Sequence, residues 1–541
     1  MKSSELFVRC LETQGAEYIF GLPGEENIDL LNALESSKIK FVLTHDERGA
    51  AFMANAYGRL SGRPGVCLST LGPGATNLMT GVADALLDFS PVVAITGQVG
   101  LAEMHKEYHQ RVDILSAFKP LTKWNARIER PAAIPEIVKK AFKVASMEKP
   151  GPAHIEFPED IALAESEGAP LQPDQITYSE PTEDSISEAV SLIRSSRTPF
   201  IVAGNGVIRG RASKSLIHFV DKTMIGVTTT FMGAGAIPAD HEFFISTIGL
   251  QSKDYVSCGL DSADLVIAVG YDPVEFSPRH WNHAGDKKII HVNFTPSEID
   301  SRYAPVELLG DIKITLSMLS DRINFKKDRS YYHKLKLFSD HALHFAKTGY
   351  PLKPLRIIDD IRKVLGRKDI LISDVGAHKL WIVRFYPAYD ENTLLMSNGF
   401  SSMGFAIPAA IAAKLLYPDK KIIAAVGDGG FLMSMCEVNT ALRLGLSFVC
   451  LIFNDGGYGL IEWKEKLKYD RDFFVKFNRP DFVKLAEAFG ARGYSVSSED
   501  DLFPILKEAL NQDVVSIIDC PVDYTENLRL TEKLGRIICP T

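Results

Sequence analysis

The sequence predicts an α/β protein made of doubly wound parallel sheets. Three observations carry this. The stretch Lys420–Trp463 runs as apolar segment, glycine turn, helix, apolar segment, glycine turn, the order of a parallel βαβ unit. The first hundred residues alternate short apolar runs, Gly/Pro turns and helical stretches in the same way. A third such series lies between Pro199 and Asn293. With 541 residues the chain has room for about three or four domains. Three are expected, over residues 1–165, 186–325 and 354–530.

Composition narrows the function. Hydrophobic residues make up 46% of the chain and supply a large core. The net charge is −8, which argues against non-specific nucleic-acid binding. Seven scattered cysteines without a CxxC pair read as reduced, buried thiols of a cytoplasmic protein. The start, Met1–Gly15, reads as an amphipathic helix and not as a signal peptide. No uncharged apolar stretch is long enough for a membrane span.

Taken in order, residues 4–15 are helical, and Glu17–Phe20 leads into the turn Gly21-Leu22-Pro23-Gly24. Asn27–Leu34 is a helix, Phe41–Leu43 a short buried strand, and His45–Gly49 opens the Ala-rich helix Ala50–Leu60. Val66–Ser69 is a strand, Leu71–Asn77 a Gly/Pro turn before a helix, and Val92–Thr96 another strand. His105 and His109 are four apart, a spacing that could bind metal on one helical face. No third ligand is placed, so metal there is discounted. Gly151–Pro158 ends the first unit, and the polar, Pro-rich residues 163–186 read as a linker.

In the middle third, Pro199–Ala203, Ala263–Gly270 and Lys288–Asn293 are strands, and Leu216–Thr223 is helical. Gly204-Asn205-Gly206 alone is a weak dinucleotide signal, because a third glycine and a placed acidic partner are missing. Residues 325–353 connect to the last unit. There Ile370–Ser373 runs into Asp374-Val375-Gly376-Ala377-His378, a strand end and helix start suited to a diphosphate. Ser397–Pro408 opens an Ala-rich helix to Leu416. Ile422–Val426 ends in Gly427-Asp428-Gly429-Gly430, and Phe448–Phe453 ends in Asn454-Asp455-Gly456-Gly457. Asp428 and Asn454 therefore stand at carboxyl ends of strands, where open α/β sheets bind ligands. A carboxylate and a neutral carbonyl suit Mg²⁺ when phosphate oxygens complete its shell. The glycines let backbone N–H groups approach that phosphate. Residues 480–498 and 502–512 read as helices, Val514–Ile518 as the last strand, and Glu526–Thr541 as a charged surface tail.

The Gly-Asp-Gly to Asn pattern resembles the thiamine diphosphate motif of 2-oxo acid decarboxylases. Over Gly21–Gln98, Val269–Asn282 and Asp374–Trp463 the chain resembles the acetolactate synthases. The resemblance implies three domains of the thiamine diphosphate-dependent decarboxylase type: pyrimidine-binding, central, and diphosphate-binding. It implies thiamine diphosphate and Mg²⁺ as cofactors, and a metal held by Asp428, Asn454 and the Gly456 carbonyl. Glu47 would pair with the aminopyrimidine, and Gly24, His109 and Gln110 would face the reacting centre. Gly376, Ala377, His378, Ser401, Met403, Gly427, Gly429, Gly430 and Tyr458 would line the cofactor, with Met403 propping its bent shape. A homodimer or homotetramer is implied, with Glu47 from one chain and Asp428, Asn454 and Met403 from its neighbour.

The implied activity decarboxylates pyruvate and ligates the two-carbon unit to a second pyruvate, giving 2-acetolactate and CO₂. The alternatives are another thiamine diphosphate-dependent decarboxylase, oxidase or carboligase, and a non-catalytic cofactor-binding regulator. Two branches leave mixed signs. Tyr271 stands where the biosynthetic branch carries an Arg, and Gly270–Glu275 and Arg279–Asn282 look like the FAD-free catabolic branch. Trp463 instead matches the biosynthetic residue that favours 2-oxobutyrate. The resulting expectation is no FAD, with pyruvate as acceptor among the small 2-oxo acids.

Overall fold

The computed structural model describes residues 1–250, 257–341 and 345–527. Three six-stranded sheets organise them. The first contains β1 (Tyr18–Gly21), β2 (Lys40–Leu43), β3 (Gly65–Ser69), β4 (Val92–Gln98), β5 (Trp124–Arg127) and β6 (Pro152–Pro158). The second contains β7 (Pro199–Ala203), β8 (Val227–Thr229), β9 (Phe244–Thr247), β10 (Leu265–Val269), β11 (Lys288–Asn293) and β12 (Val306–Leu309). The third contains β13 (Ile370–Ser373), β14 (Leu394–Met396), β15 (Ile422–Gly427), β16 (Val449–Asn454), β17 (Arg492–Ser495) and β18 (Ser516–Pro521).

The first sheet has the order β2-β1-β3-β4-β6-β5, and the third repeats it as β14-β13-β15-β16-β18-β17. Both reverse direction of winding between their first and third strands. The central sheet runs β12-β11-β10-β7-β8-β9, which is the 3-2-1-4-5-6 order of dinucleotide-binding folds read from the other edge. Pairing is parallel in the interior of all three, as at β13/β15, β15/β16 and β7/β10. Central strands such as β3, β7, β10 and β13 are buried at every position. Helices cover both faces, so these strands read as unbroken apolar runs and not as alternating ones.

One hydrophobic cluster joins the first and third sheets. Its middle is the packing of the Ala406–Leu416 helix on the Glu47–Ser61 helix. Small side chains, Ala50, Ala51, Ala54, Ala409, Ala410 and Ala413, are all buried there, which lets the helices approach closely. Phe52 and Phe405 meet edge to face at 5.8 Å, and each stabilises the contact by about 1.5–3 kcal/mol through burial. Asp46 caps the Glu47 helix through a 2.7 Å bond from Arg48 N, and left-handed Gly62 (φ 72°) ends it.

Several local expectations are corrected. Asp428-Gly429-Gly430 is not a turn but the first turn of a helix, Asp428–Ser434. Pro73 already begins the helix Pro73–Leu87, so the turn before it is shorter than expected. β2 is an edge strand and only partly buried. Residues 480–498 hold a helix, Phe482–Phe489, and then the edge strand β17. The connection 325–353 contains the helix Arg329–His341. Met104–Gln110 forms turns, so His105 and His109 share no helical face. No group of three metal-binding side chains occurs among the described residues. Cys10, Cys67, Cys436, Cys450 and Cys520 are free thiols, but Cys258 is disulfide-bonded, against the expectation of reduced cysteines throughout. Among the described residues no helix is long and apolar enough to cross a membrane. The expected surface tail lies outside the described residues from position 528 onward.

Candidate active site

The carboxyl ends of β13, β15 and β16 open into a cavity of about 390 Å³. It is lined by Gly376, Ala377, His378, Ser401, Met403, Gly427, Asp428, Gly429, Gly430 and Tyr458, all singled out from the sequence. The cavity therefore sits where the winding of the third sheet reverses, between β13 and β15. Gly376 precedes the Ala377–Phe385 helix. A Cβ at Gly376 would lie 2.7 Å from the His378 ring, and one at Gly429 would lie 2.7 Å from the Tyr458 ring. The glycines are thus required by close approach.

Asp428 is 1% exposed. Its Oδ1 accepts from Gly429 N at 2.8 Å and its Oδ2 from Gly456 N at 2.7 Å. Burial pushes its carboxyl above the usual range, against the bonds from those amides. Asn454 uses its amide N–H to reach Asp519 Oδ1 at 2.7 Å. That bond turns the other end free: Asn454 Oδ1 is buried and has no partner. Such an orphan costs about 1–3 kcal/mol unless something binds it. Gly456, left-handed at φ 70°, keeps its carbonyl in only one long bond, 3.4 Å from Phe477 N. Asp428, Asn454 and Gly456 thus offer one anionic and two neutral oxygens, a donor set that fits Mg²⁺.

The lining contains no Lys or Arg among the described residues, yet it contains Asp428 and Asp455. Burial, and then the Asp428 charge, push the Asp455 carboxyl up to about 7. An anionic ligand beside these carboxylates needs a cation between them, which the same three oxygens can hold. His378 is buried, and desolvation pushes its pKa down to about 3, so it lines the cavity as neutral imidazole. Its Nε2 has no partner, and its ring stacks on Phe453 at 5.3 Å.

The remaining predicted residues gather elsewhere, at the reversal point of the first sheet. Glu47 is 8% exposed and begins its helix; Asn77 Nδ2 donates to its Oε2 at 3.0 Å. A Cβ on Gly74 would stand 3.1 Å from Glu47 Oε1, and one on Gly24 would overlap Thr70. Gly72 (φ 53°) lies against the Gln110 carbonyl, and Gln110 itself is left-handed at φ 56°. His109 and Gln110 are exposed. So Gly24, Glu47 and Gln110 share the Thr70–Gly74 turn, with His109 next in the chain. None of the four lines the Asp428 cavity. The two clusters touch only indirectly within this chain. Arg48 Nη2 donates to the carbonyl of Met433, a cavity residue, at 2.6 Å. Glu437 Oε1 accepts from His45 N and Asp46 N, both at 3.0 Å.

Sequence reasoning missed Asp455, Met433, Asp519 and Tyr524. Asp455 stands beside Asn454 and could have been read from the same turn. Asp519 comes from β18, sixty-five positions later, with no local motif to reveal it. Trp463 lines a neighbouring cavity with Asp455 and Tyr524, not the Asp428 cavity itself.

Comparison with known proteins agrees with this geometry. Three family models match: the N-terminal TPP binding domain of thiamine pyrophosphate enzymes over residues 1–117, their central domain over 186–319, and their C-terminal TPP binding domain over 374–520. The acetolactate synthase of Bacillus subtilis is 34% identical, over 99% of this chain and 96% of that protein. A probable acetolactate synthase large subunit of Methanocaldococcus jannaschii is 35% identical, over 99% and 94%. A catabolic acetolactate synthase of Raoultella terrigena is 33% identical, over 98% and 97%. The chain belongs to the acetolactate synthase family of thiamine pyrophosphate enzymes.

Proposed function

We propose that this protein is an acetolactate synthase that uses thiamine diphosphate and Mg²⁺ to join two pyruvates. The observation that carries the reading is a glycine-lined cavity with Asp428 in its wall, and beside it Asn454, between the lining residues Phe453 and Asp455, with a buried Oδ1 that has no partner. Asp428, Asn454 and the Gly456 carbonyl would hold the metal. Backbone N–H groups at the start of the nine-residue Ala377–Phe385 helix would take the diphosphate, where the helix dipole favours anions. Ser401, Met403 and Tyr458 would flank the rest of the cofactor. When bound, the cofactor supplies the carbon nucleophile and the electron sink that let a 2-oxo acid lose CO₂.

The other groups follow from this frame. Glu47, from a second copy of the chain, would hold a proton at the aminopyrimidine ring. Gly24, His109 and Gln110 lie on the same turn cluster and would face the acceptor. A homodimer or homotetramer is therefore part of the proposal, because one chain presents the two clusters apart. The apolar share of the lining, with Met403, Met433, Phe453, Leu460 and Ile461, would keep water from protonating the intermediate before the second pyruvate arrives.

We propose further that no flavin is bound. The reversal point of the central sheet, between β7 and β10, is where a dinucleotide would sit. There Glu275 of the chain itself occupies one amide and one hydroxyl: its Oε1 accepts from Asn205 N at 3.1 Å, and its Oε2 accepts from Thr230 Oγ1. Gly206 N is also used, by Gly270 O at 2.8 Å. Burial, and then the Asp272 charge, push the Glu275 carboxyl up to about 8, and its oxygens already take the Asn205 amide and the Thr230 hydroxyl that a phosphate would need.

The test is product identification. Purified protein given pyruvate, thiamine diphosphate and Mg²⁺ should release CO₂ and 2-acetolactate. Acetaldehyde or acetyl phosphate as the main product would overturn the reading in favour of a sister reaction. No turnover would overturn it altogether.

A further inference from the structure

Beside the cofactor cavity lies a buried charge cluster that the reaction leaves unused. Asp84, on the Pro73–Leu87 helix, and Asp88, which caps its C-terminus, are 0% and 2% exposed. Lys379, 5% exposed, stands one position after His378. Its Nζ donates to Ser397 O at 2.6 Å and to Ser401 Oγ at 3.4 Å. Ser397 Oγ donates to Asp84 Oδ1 at 2.5 Å. Asp88 accepts from Gly399 N at 2.6 Å and faces Arg59 Nη1 at 3.6 Å. Arg59 thus faces Asp88 directly, Lys379 reaches Asp84 only through Ser397, and burial pushes both carboxyls up.

What these charges grip is one segment. Ser397 is tied at one end, and Gly404 N donates to both Asp374 oxygens at 3.0 Å at the other. Between them Ser401 and Met403 line the cavity, with Ser401 left-handed at φ 55°. That backbone is held in place against its own preference.

We propose that Lys379 is a positioning residue: its ammonium, donating to Ser397 O and Ser401 Oγ, fixes the 397–404 segment and so sets the cofactor affinity of the cavity. This rests on the cofactor reading above. Removing the ammonium takes the donor from Ser397 O and Ser401 Oγ, on either side of the left-handed turn that brings Ser401 to the cavity.

The pH dependence follows from geometry and sign. The groups facing Lys379 are Asp84 and Asp88 from the Pro73–Leu87 helix and its C-cap, Arg59 from the Glu47–Ser61 helix, and Asp374 at the end of β13. Burial pushes the Lys379 ammonium down to about 8, and Asp88, Asp84 and Asp374 act the other way. The ammonium is complete below that pH and is lost as pH rises through it. Cofactor affinity should therefore fall across the same window.

Calorimetric titration of the intact protein with thiamine diphosphate and Mg²⁺ tests this. Wild-type affinity should drop roughly tenfold between about pH 7 and about pH 9, the loss of one charge-assisted bond. Lys379→Met should bind roughly tenfold more weakly at pH 7 and show no inflection. Lys379→Arg keeps its charge across this window and should bind as tightly at about pH 9 as at about pH 7, which a merely structural lysine would not require. A flat wild-type profile would overturn the proposal, as would a Lys379→Met protein that keeps the wild-type profile or a Lys379→Arg protein whose affinity falls as the wild type's does. If Lys379→Met does not fold, Lys379→Arg decides. Absence of wild-type binding at pH 7 would instead sink the cofactor reading itself.

Discussion

In the proposed reaction Glu47 would hold and return a proton at the aminopyrimidine. It stands at the first position of a buried helix, bonded to Asn77 and enclosed by the Gly74 turn. Gln would keep the size and the bond to Asn77 but could not exchange a proton with the aminopyrimidine. Glu47→Gln should fold and should still bind the cofactor, whose proposed diphosphate and metal contacts lie in the third sheet. Hydrogen–deuterium exchange at the cofactor's C2 should fall by about 10² to 10⁴, the contribution of one general acid–base group. Exchange at the wild-type rate would reduce Glu47 to a structural carboxylate. At this scale, Asp428 and Asn454 were legible because each closes an apolar run in a motif. The orientation of Asn454 was not, since it depends on Asp519 from a distant strand.

Elements were read best where burial is complete. β7, β10, β13, β15 and β16 came through as apolar runs because helices seal both of their faces. β5, β8, β9, β12, β14 and β17 were passed over: each has only three or four residues, and too few positions to show a period. The Gly429-Gly430 pair was read as a turn because glycine favours turns, yet packing at the β15 end makes it helix. The central sheet carries its own prediction. Its strand order suits a dinucleotide, but Glu275 takes the Asn205 amide at the reversal point. Purified protein should show no flavin absorbance and should turn over without added flavin. A yellow preparation with one flavin per chain would mean that Glu275 yields its place.

For the whole molecule, the sequence showed three alternating units but not that the outer two share one strand order. Nor did it show that one hydrophobic cluster joins those two units within the chain. These depend on contacts between residues hundreds of positions apart, such as Phe52 with Phe405. Within one chain Glu47 does not line the Asp428 cavity. The central claim is that two copies complete each other's site, as a two-fold dimer would. Co-expressing Glu47→Gln with Asp428→Ala tests it most directly, with acetolactate formation from pyruvate as the readout. Each variant alone should be inactive. In a mixed dimer one site receives both intact residues and the other receives both lesions. With random pairing the mixture should recover about a quarter of wild-type activity. No recovery, in preparations shown to contain mixed dimers, would place Glu47 and Asp428 in the same chain's site and contradict the account.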